Sequence, residues 1–220
     1  MPIYNAPLAD MKFILNDVFK AEQFWQANEN LAHVDAATAE AILEEMAKFA
    51  QNVTHPLNRS GDEEGAKIEN GAVTTPTGFK DAFKQYAEGG WIGLAADEEW
   101  GGQGMPKMLT VLADEMLFAT NPSFLLYPLL SVGAGMALDS YASQEQKETY
   151  LPKIYSGEWS GTMCLTEPHA GTDLGIIKTK AERNEDGTYN ITGTKIFITG
   201  GDHDLAENII HLVLAKTPDA

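Results

Sequence analysis

The feature that most constrains the fold is a change of hydrophobic period near Gly157. Before it, apolar residues recur every three or four positions, whereas residues 177–183 and 189–197 alternate between apolar and polar side chains. Helices that come first and strands that come after indicate an α+β fold with segregated parts. We therefore predict an all-α helical domain over residues 1–157, followed over residues 158–220 by the first part of an antiparallel β domain, which is incomplete in this chain.

Capping residues and prolines set the predicted limits of the helices. Asp35 is typical of an N-cap, and the proline of the dipeptide at 55–56 is expected to end the helix that Asp35 begins. Ser143 and Gln146 have the spacing of a capping box, and Pro152 is expected to kink or shorten the helix that they open. The remaining predictions are helices over about 10–28, 79–88, 107–120 and 124–142, a surface loop over 57–78, and within it a short extended piece over 72–74.

Charge and cysteine content restrict the partners and the compartment. The formal net charge of −17 argues against nucleic acid, because no cluster of lysine and arginine offers a path for phosphates. Cys164 is the single cysteine and cannot form an internal disulfide, so we expect a reducing compartment, the cytoplasm, with Cys164 as a small buried thiol. The start of the chain carries charged residues where a signal peptide would be apolar.

One uncharged stretch has the length of a membrane span. No charged residue occurs from 116 to 138, which is long enough to cross a bilayer. Pro122, Pro128 and Gly133 interrupt this stretch, and its middle carries the signals of one helix end and of a new helix start. We therefore predict two buried helices here and no membrane span.

The first of two informative segments runs from Met163 to Asp173. It begins with an apolar stretch that ends in the hydroxyl of Thr166, after which Pro168 prevents a strand from continuing. Gly171 lies in the turn that follows and is free to adopt backbone angles closed to other residues. A strand that breaks in this way exposes backbone N–H groups, which can hydrogen-bond the polar edge of a planar heterocycle.

The second segment covers residues 195–201. Its two isoleucines are predicted to face one side of a strand, while Lys195, Phe197 and Thr199 face the other. An aromatic ring and a hydroxyl two residues apart make a wall for a flat cofactor, and the Thr199 hydroxyl is placed to donate to a ring nitrogen. Taken alone, this segment is explained as well by a core aromatic residue at the end of a strand.

Together the two segments resemble the flavin-binding signature of the acyl-CoA dehydrogenase family. The signature of that family has a fixed order: a small residue, an aliphatic residue, Thr or Ser, Glu, two variable residues, a small residue, Gly, Ser or Thr, and Asp. The matching positions are Cys164, Leu165, Thr166, Glu167, Ala170, Gly171, Thr172 and Asp173. This chain departs from the pattern at Ile176, where the family usually has a small residue, and at Phe197, where the family often has Trp.

The resemblance covers nearly the whole chain and looks closest to the long branch of the family that includes 3-methylmercaptopropionyl-CoA dehydrogenase. The stretches 2–11, 90–96 and 201–205 carry this likeness. It implies a flavoprotein of fatty acid metabolism that dehydrogenates an acyl-CoA thioester, in which a carboxylate removes the α proton while the β hydride passes to N5 of FAD. It also implies an electron-transfer flavoprotein as the electron acceptor, and a homodimer or homotetramer.

The same resemblance implies a role for particular residues. The implied cofactor-binding set is Met163, Cys164, Leu165, Thr166, Gly171, Thr172, Phe197, Ile198 and Thr199. Thr172 is also the position that meets the bound acyl-CoA. Because coenzyme A is polyanionic, the basic residues near the signature are candidates for its pocket, with an ordinary solvated strand face as the alternative. These basic residues are Lys178, Lys180, Arg183 and Lys195.

We assign no catalytic or metal-binding residue within the chain. The resemblance implies that the catalytic base is a Glu of a C-terminal helical domain, which is expected beyond Ala220. Glu167 lies inside the signature but is interpreted as a structural residue that ties down backbone N–H groups. His203 stands between two aspartates, yet adjacent residues rarely converge on one metal ion.

Three functions stay open at this point. The chain is the N-terminal part of an FAD-dependent acyl-CoA dehydrogenase that is inactive alone, or a non-catalytic helical interaction module with vestigial flavin elements, or part of an acyl-CoA oxidase of the same architecture. A following helical domain with a suitably placed Glu favours an enzyme over the module. The reactivity of the reduced flavin with oxygen separates the oxidase from the dehydrogenase.

Overall fold

A computed structural model describes residues 3–218 of the chain. The helices are Leu8–Phe13 (α1), Ala21–Gln26 (α2), Ala36–Phe49 (α3), His55–Glu64 (α4), Phe79–Glu88 (α5), Lys107–Thr120 (α6), Pro122–Tyr141 (α7) and Gln144–Tyr155 (α8). The strands are Lys67–Glu69 (β1), Ala72–Thr74 (β2), Trp159–Cys164 (β3), Lys180–Arg183 (β4), Tyr189–Thr192 (β5) and Asn208–Val213 (β6). The order of a helical part followed by small sheet elements confirms the predicted α+β fold class.

The helices pack around one apolar core. Phe124 at the start of α7 is fully buried, and its ring lies 6.2 Å from that of Phe49, 5.9 Å from Phe79 and 6.1 Å from Tyr86. These rings come from α3, α5 and α7, so the aromatic cluster ties three helices together. Burial of each large apolar side chain contributes about 1.5–3 kcal/mol, which makes this core the main source of stability in the helical part.

The helix α7 joins the helical part to the strand β3. A Cβ atom added to Gly161 of β3 would lie 2.4 Å from the Cβ of Ala134, so the strand packs directly on the helix because Gly161 has no side chain. The Ser131 hydroxyl of α7 also accepts a hydrogen bond from the Gly161 N–H, at 3.0 Å. The chain immediately after α8 is thereby fixed against the helical core.

The uncharged stretch 116–138 forms the end of α6 and most of α7, as two helices. Within the described residues, α7 is the one helix long and apolar enough to cross a membrane by length and composition. In the structure it packs against β3 and α8, and Phe124, Leu125 and Ala134 are buried there.

Two of the predicted caps are confirmed. The Asp35 carboxylate accepts a hydrogen bond from Thr38 N at 2.7 Å, and α3 follows it. Ser143 and Gln146 form a reciprocal capping box at the start of α8. These caps satisfy N–H groups that a helix start would otherwise leave without partners.

The prediction that the helix begun by Asp35 ends at 55–56 is wrong. A π-helical turn, Ala50–Thr54, carries the chain from α3 into α4, in which the proline occupies the first turn. A proline is tolerated there because the first N–H groups of a helix have no internal acceptor. Residues 57–78 are therefore not one long loop, since α4 and the hairpin β1–β2 occupy much of the stretch. The extended piece predicted over 72–74 is confirmed as β2.

One further helix limit differs from prediction. The helix predicted over 10–28 is interrupted at Lys20, whose φ of 52° lies in the left-handed region, so that α1 and α2 are separate. Local backbone geometry at Lys20 overrides the side-chain pattern from which that limit was predicted. Pro152 lies inside α8, which ends at Tyr155, and the kink expected at this proline stays a prediction.

The sheet elements are not all antiparallel. The strands β4 and β5 form an antiparallel hairpin, with Lys180 opposite Thr192. The strand β3 instead pairs in parallel with β6, with Trp159 opposite Asn208 and Cys164 opposite Val213. The predicted antiparallel pairing is thus wrong for β3 and β6, because the chain leaves β3, makes the hairpin and returns in the same direction as β3.

The strand predicted over 189–197 ends at Thr192. A Cβ atom on Gly193 would lie 2.3 Å from the Thr179 hydroxyl oxygen, so the backbone at Gly193 closes onto Thr179. Phe197 then has a φ of 56°, which no regular strand contains. The predicted alternation of faces over 195–199 is therefore not realised.

Candidate functional site

The two motif segments lie side by side. The N–H of Ile196 donates a hydrogen bond of 2.9 Å to the carbonyl oxygen of Thr166. One residue earlier on each segment, the Lys195 ammonium donates to the carbonyl oxygen of Leu165, also at 2.9 Å. The predicted juxtaposition of the segments is therefore present, although the second one is irregular where a strand was predicted.

Glu167 holds the junction together from inside. Its carboxylate is buried and accepts from Lys178 N at 2.7 Å, from Thr179 N at 3.0 Å and from the Lys195 ammonium at 2.9 Å. Burial by itself raises the pKa of the Glu167 carboxyl, but the hydrogen bonds from Thr179, Lys178 and Lys195 outweigh it and hold the pKa well below its usual range. The carboxylate stays ionised and fully engaged, which confirms its interpretation as a structural residue.

Phe197 is held in a strained and exposed position. Its φ of 56° is unfavourable for a residue with a Cβ atom, and 89% of the side chain is exposed. Because the phenyl ring is exposed, its burial within the described part of the chain contributes little free energy to offset the strain. Such outliers are typical of positions at which a protein contacts a ligand or a further surface.

Several backbone donors around the junction lack an acceptor within the described residues. Within residues 3–218, no acceptor is found for the N–H groups of Leu165, Thr166, Phe197, Ile198 and Thr199. The hydroxyls of Thr166 and Thr199 also have no partner in that part of the chain. We call this set of N–H and hydroxyl groups the donor frame. The residues of the frame are exposed or half-buried, so these groups are open to water or to a ligand.

Met163 and Cys164 lie at the end of β3, beside the donor frame. The Met163 side chain is 43% exposed, whereas Cys164 is buried as predicted. The Cys164 sulfur lies 3.6 Å from the Thr162 hydroxyl and 3.8 Å from Nδ1 of His211, and that hydroxyl is 2.7 Å from the same ring nitrogen. The shorter of these contacts shows that His211 is hydrogen-bonded to Thr162, with Cys164 at the longer distance.

The turn after the first segment is open to solvent. The backbone of Glu167 exchanges hydrogen bonds of 2.8 and 3.1 Å with that of Ala170, after which Gly171 and Thr172 are exposed. Gly171 does not have the positive φ expected of it, and a Cβ atom added there would meet no atom within 4 Å. The described residues therefore do not require glycine at 171, and the free space lies on the outer side of the turn.

The predicted basic residues do not form one patch. Lys195 turns inward to Glu167 and is 10% exposed, so its charge is not available on the surface. Lys178 and Lys180 line an open groove of about 500 Å³ together with Lys216, which sequence reasoning did not select. Arg183 lies at the far end of β4, outside that groove.

His203 is an internal anchor. Its Nδ1 accepts from Leu205 N at 3.1 Å, so Nε2 carries the proton of the neutral ring and contacts the Ser160 hydroxyl at 2.9 Å. The ring packs edge-on against Tyr127 at 5.2 Å. Burial lowers the pKa of His203, against the opposing influence of Asp202 and Asp204. A ring held in this way connects the end of the second segment to β3 and α7.

The chemistry of the donor frame suits the polar edge of an isoalloxazine. That edge presents carbonyl oxygens and the nitrogens N1 and N5, which accept hydrogen bonds, and the frame consists of groups that donate them. Phe197, whose own N–H belongs to the frame, exposes its ring and so offers an apolar face. The donor set and the exposed ring therefore suit a flat, acceptor-rich heterocycle, whereas residues 3–218 contain no cluster of His, Cys, Asp and Glu able to hold a metal ion.

The family assignment follows from two domain models. The model for the acyl-CoA dehydrogenase N-terminal domain matches residues 36–158, and that for the middle domain matches residues 162–220. The chain belongs to the acyl-CoA dehydrogenase family. The family predicted from the signature is thereby confirmed, and with it an oxidoreductase family of acyl-CoA metabolism.

Curated relatives support the same branch. The 3-methylmercaptopropionyl-CoA dehydrogenase of Ruegeria pomeroyi is 46% identical over 217 residues, which are 99% of this chain and 37% of the relative. A butyryl-CoA dehydrogenase of Syntrophomonas wolfei is 39% identical over 221 residues, covering 99% of this chain and 36% of the relative. The chain thus spans little more than a third of the length of these dehydrogenases.

Solved structures share the fold. The butyryl-CoA dehydrogenase of Megasphaera elsdenii matches with a TM-score of 0.67 and 26% identity, over 80% of this chain and 43% of that structure. An acyl-CoA dehydrogenase of Bacillus anthracis, solved in complex with FAD, matches with a TM-score of 0.68 and 26% identity, over 84% of this chain and 30% of that structure.

Sequence reasoning missed the role of Lys195. The pattern predicts this residue on the strand face of Phe197 and Thr199 and as a candidate for the coenzyme A pocket, whereas the ammonium bridges Leu165 and Glu167 in the interior. The sequence does carry a signal, because a structural carboxylate such as Glu167 requires a cation or several donors where it is buried.

Proposed function

We propose that this chain is the flavin-framing part of an FAD-dependent acyl-CoA dehydrogenase, which forms the α,β double bond of an acyl-CoA thioester. The observation that carries the proposal is the donor frame, in which open N–H and hydroxyl groups of two segments meet at the Ile196–Thr166 hydrogen bond. Family membership supports it, because the relatives are named as acyl-CoA dehydrogenases. We also propose the division of the chain into residues 1–157 and 158–220.

The proposed roles follow the placement of the groups. FAD, when bound, supplies the site that accepts the β hydride of the substrate. The N–H groups of Leu165 and Thr166 hold the pyrimidine edge, where negative charge gathers on reduction, and such donors are most effective in a dry site. The Phe197 ring covers one side of the ring system, and the Thr199 hydroxyl donates to N5.

The remaining proposed contacts complete the assigned set. Met163, Cys164 and Ile198 contribute backbone beside the frame, and Gly171 leaves room on the outer side of its turn. Thr172, exposed in the same turn, contacts the acyl-CoA. These roles rest on the position of each residue and on the family signature.

The proton-abstracting base is proposed to lie outside this chain. Glu167 is a carboxylate of the signature itself, but it is bound by two backbone N–H groups and an ammonium and has no freedom to approach a substrate. The full-length relatives are almost three times as long as this chain, and we propose that the corresponding region supplies a Glu as base. We further propose a cytoplasmic homodimer or homotetramer that passes its electrons to an electron-transfer flavoprotein.

The test uses the purified full-length protein. We expect it to contain about one FAD per chain and to lose its visible flavin absorbance when mixed without oxygen with an acyl-CoA from a panel of chain lengths. Substitution Thr166→Val is expected to weaken FAD binding, because a hydroxyl of the donor frame is lost. A full-length protein that binds no FAD, or keeps its absorbance with every thioester, would contradict the proposal.

Oxygen reactivity distinguishes the two enzymatic alternatives. After reduction by the acyl-CoA, a dehydrogenase is expected to reoxidise slowly in air-saturated buffer and rapidly with an electron-transfer flavoprotein. Rapid reoxidation by oxygen, with stoichiometric hydrogen peroxide, would favour the oxidase.

Residues 1–220 alone give a second, independent test of the frame. We expect this fragment to be colourless or to bind FAD weakly, since the proposed pocket is completed by other parts of the protein. Titration of the fragment with FAD, followed by flavin fluorescence, measures this directly. Stoichiometric, tight binding would show that the described residues form the whole pocket.

A further inference from the structure

The Lys195 ammonium occupies an unusual position for a charged group. It is nearly buried, and one of its hydrogen bonds goes to the backbone carbonyl of Leu165, while another goes to Glu167. The salt bridge uses one of the three N–H donors of the ammonium, and the Leu165 carbonyl takes another. The second bond places a positive charge on the oxygen of one particular peptide group, that between Leu165 and Thr166.

The other end of this peptide group belongs to the donor frame. No cis peptide bond occurs in the described chain, so the Leu165 carbonyl and the Thr166 N–H point in opposite directions. Lys195 lies on the carbonyl side. The Thr166 N–H points away from it and has no acceptor within residues 3–218.

A cation on a carbonyl oxygen strengthens the N–H donor of the same peptide. The peptide is a resonance hybrid, and positive charge at oxygen favours the form with negative oxygen and positive nitrogen. Hydrogen bonds linked in such a chain polarise one another by an estimated 10–30% per bond. Screening by water is weak here, because Lys195 is 10% exposed and Glu167 is 2% exposed.

We propose that Lys195 is a positioning residue that favours reduced over oxidised flavin, by polarising the Leu165–Thr166 peptide whose N–H faces the cofactor. This inference rests on the proposed function, since it requires FAD at the donor frame. Glu167 is the counter-charge that makes burial of the ammonium tolerable, and it reduces the polarisation without abolishing it because it lies on one side of the ammonium only.

A polarising role of Lys195 differs from a purely structural role in one measurable respect. A lysine that only joins the two segments would affect the oxidised and reduced flavin equally when removed. A lysine that polarises the peptide affects the reduced flavin more, because negative charge is present at the pyrimidine edge only after reduction. The equilibrium ratio of reduced to oxidised flavin therefore separates the two roles.

The experiment compares full-length holoproteins carrying Lys195→Met, Lys195→Arg and Lys84→Met. Methionine keeps the length of the side chain and removes its charge, arginine keeps the charge, and Lys84 is a surface lysine whose side chain is 72% exposed. The bound flavin is equilibrated with a redox dye of known potential, and the affinity for oxidised FAD is measured by fluorescence titration.

We expect Lys195→Met to lower the ratio of reduced to oxidised flavin about tenfold, which for a two-electron couple is a shift of about 30 mV. Lys195→Arg and Lys84→Met are expected to stay within about twofold of the unmodified protein. Loss of affinity for oxidised FAD without a change in the ratio would overturn the inference and leave the proposed function standing. An unmodified full-length protein without FAD would instead overturn the proposed function.

Glu167→Gln provides a test of opposite sign that does not depend on the Met variant folding. Glutamine can keep one carbonyl oxygen toward Lys195 and Thr179 N but removes the counter-charge, so an ammonium that stays protonated polarises the peptide more strongly. Because a buried ammonium without a counter-charge also loses its proton more readily, the ratio of reduced to oxidised flavin is compared with that of the unmodified protein at each pH of a series, and it is expected to be higher at the acidic end. A ratio that is unchanged or lower at every pH would contradict a polarising role for Lys195.

Discussion

The helical part and the strand part of this molecule satisfy their polar and apolar groups to different degrees. In the helical part, the aromatic cluster around Phe124 is buried and the helix starts at Asp35 and Ser143 are capped. In the strand part, the donor frame has no acceptor within residues 3–218, and Phe197 is both strained and exposed. The helical part also exposes apolar side chains, among them Phe24 and Tyr141, and within the same residues it leaves the buried hydroxyl of Thr110 without a partner. What distinguishes the signature region is therefore that its open backbone donors, its strained torsion and its exposed ring lie in two adjacent segments.

The largest effect is expected from Phe124→Ala. Removal of this ring leaves a cavity among Phe49, Phe79 and Tyr86, and a Phe→Ala change in a core costs about 3–5 kcal/mol of unfolding free energy. The matched control is Phe118→Ala on α6, whose side chain is 47% exposed, with an expected change of about 0.5 kcal/mol. Chemical denaturation measures both. Equal losses in the two variants would show that the helical part is not the closed core described above.

Thr199→Val is expected to act on chemistry more than on stability. In the full-length protein we expect flavin reduction by acyl-CoA to slow by about 10- to 100-fold, because the hydrogen bond that makes N5 a better hydride acceptor is lost, with little change in substrate binding. Thr192→Val, at an exposed position of β5, is the control. Stopped-flow absorbance measures the reduction rate, and an unchanged rate would argue against the assignment of Thr199 to N5.

Phe197 tests whether the strained backbone of the strand part is present in solution. The measurement is the difference in stability between a glycine and an alanine variant at this position. At an ordinary position alanine is more stabilising than glycine, but at a φ of 56° a Cβ atom costs about 1–2 kcal/mol. We therefore expect the free energy of unfolding of Phe197→Gly to exceed that of Phe197→Ala by about 1 kcal/mol, which chemical denaturation measures. Both variants are expected to bind FAD more weakly than the unmodified protein. Greater stability of the alanine variant would mean that the left-handed backbone is not retained in solution.

The smallest effect is expected from acid acting on His203. Because burial lowers its pKa in the folded chain, the unfolded chain binds the proton more readily, and stability present above the unfolded pKa of about 6.5 is lost as the pH falls below it. Protonation would also remove the Nδ1 acceptor of Leu205 N. The free energy of unfolding is measured by denaturation between pH 7.5 and about 5.5. We expect it to depend less on pH in His203→Gln than in the unmodified protein, and to keep the pH dependence of the unmodified protein in the exposed control His33→Gln. An identical pH dependence in both variants would exclude His203 as the source.

Local signals in the sequence predicted local structure well. The side chains of Asp35, Ser143 and Gln146 determine helix starts through contacts within three residues, so those starts were predictable. The family signature likewise brought together the segments around Thr166 and Ile196, which the structure places in contact.

Features that depend on distant contacts or on backbone torsion were not predictable from the pattern. The parallel pairing of β3 with β6 depends on a partner far along the chain, and the end of β5 depends on the contact between Gly193 and Thr179. The left-handed torsions at Lys20 and Phe197 leave no signature in residue type, since neither residue favours them.

The parallel pair β3–β6 has a consequence for how the protein is made. Everything that contributes to the donor frame lies between the end of β3 at Cys164 and the start of β6 at Asn208. On the ribosome, the first half of the frame emerges long before the strand that pins the return of the chain. The two segments are therefore expected to come together only after Val213 has left the exit tunnel, and a nascent chain arrested earlier is expected to lack the pairing that holds the donor frame.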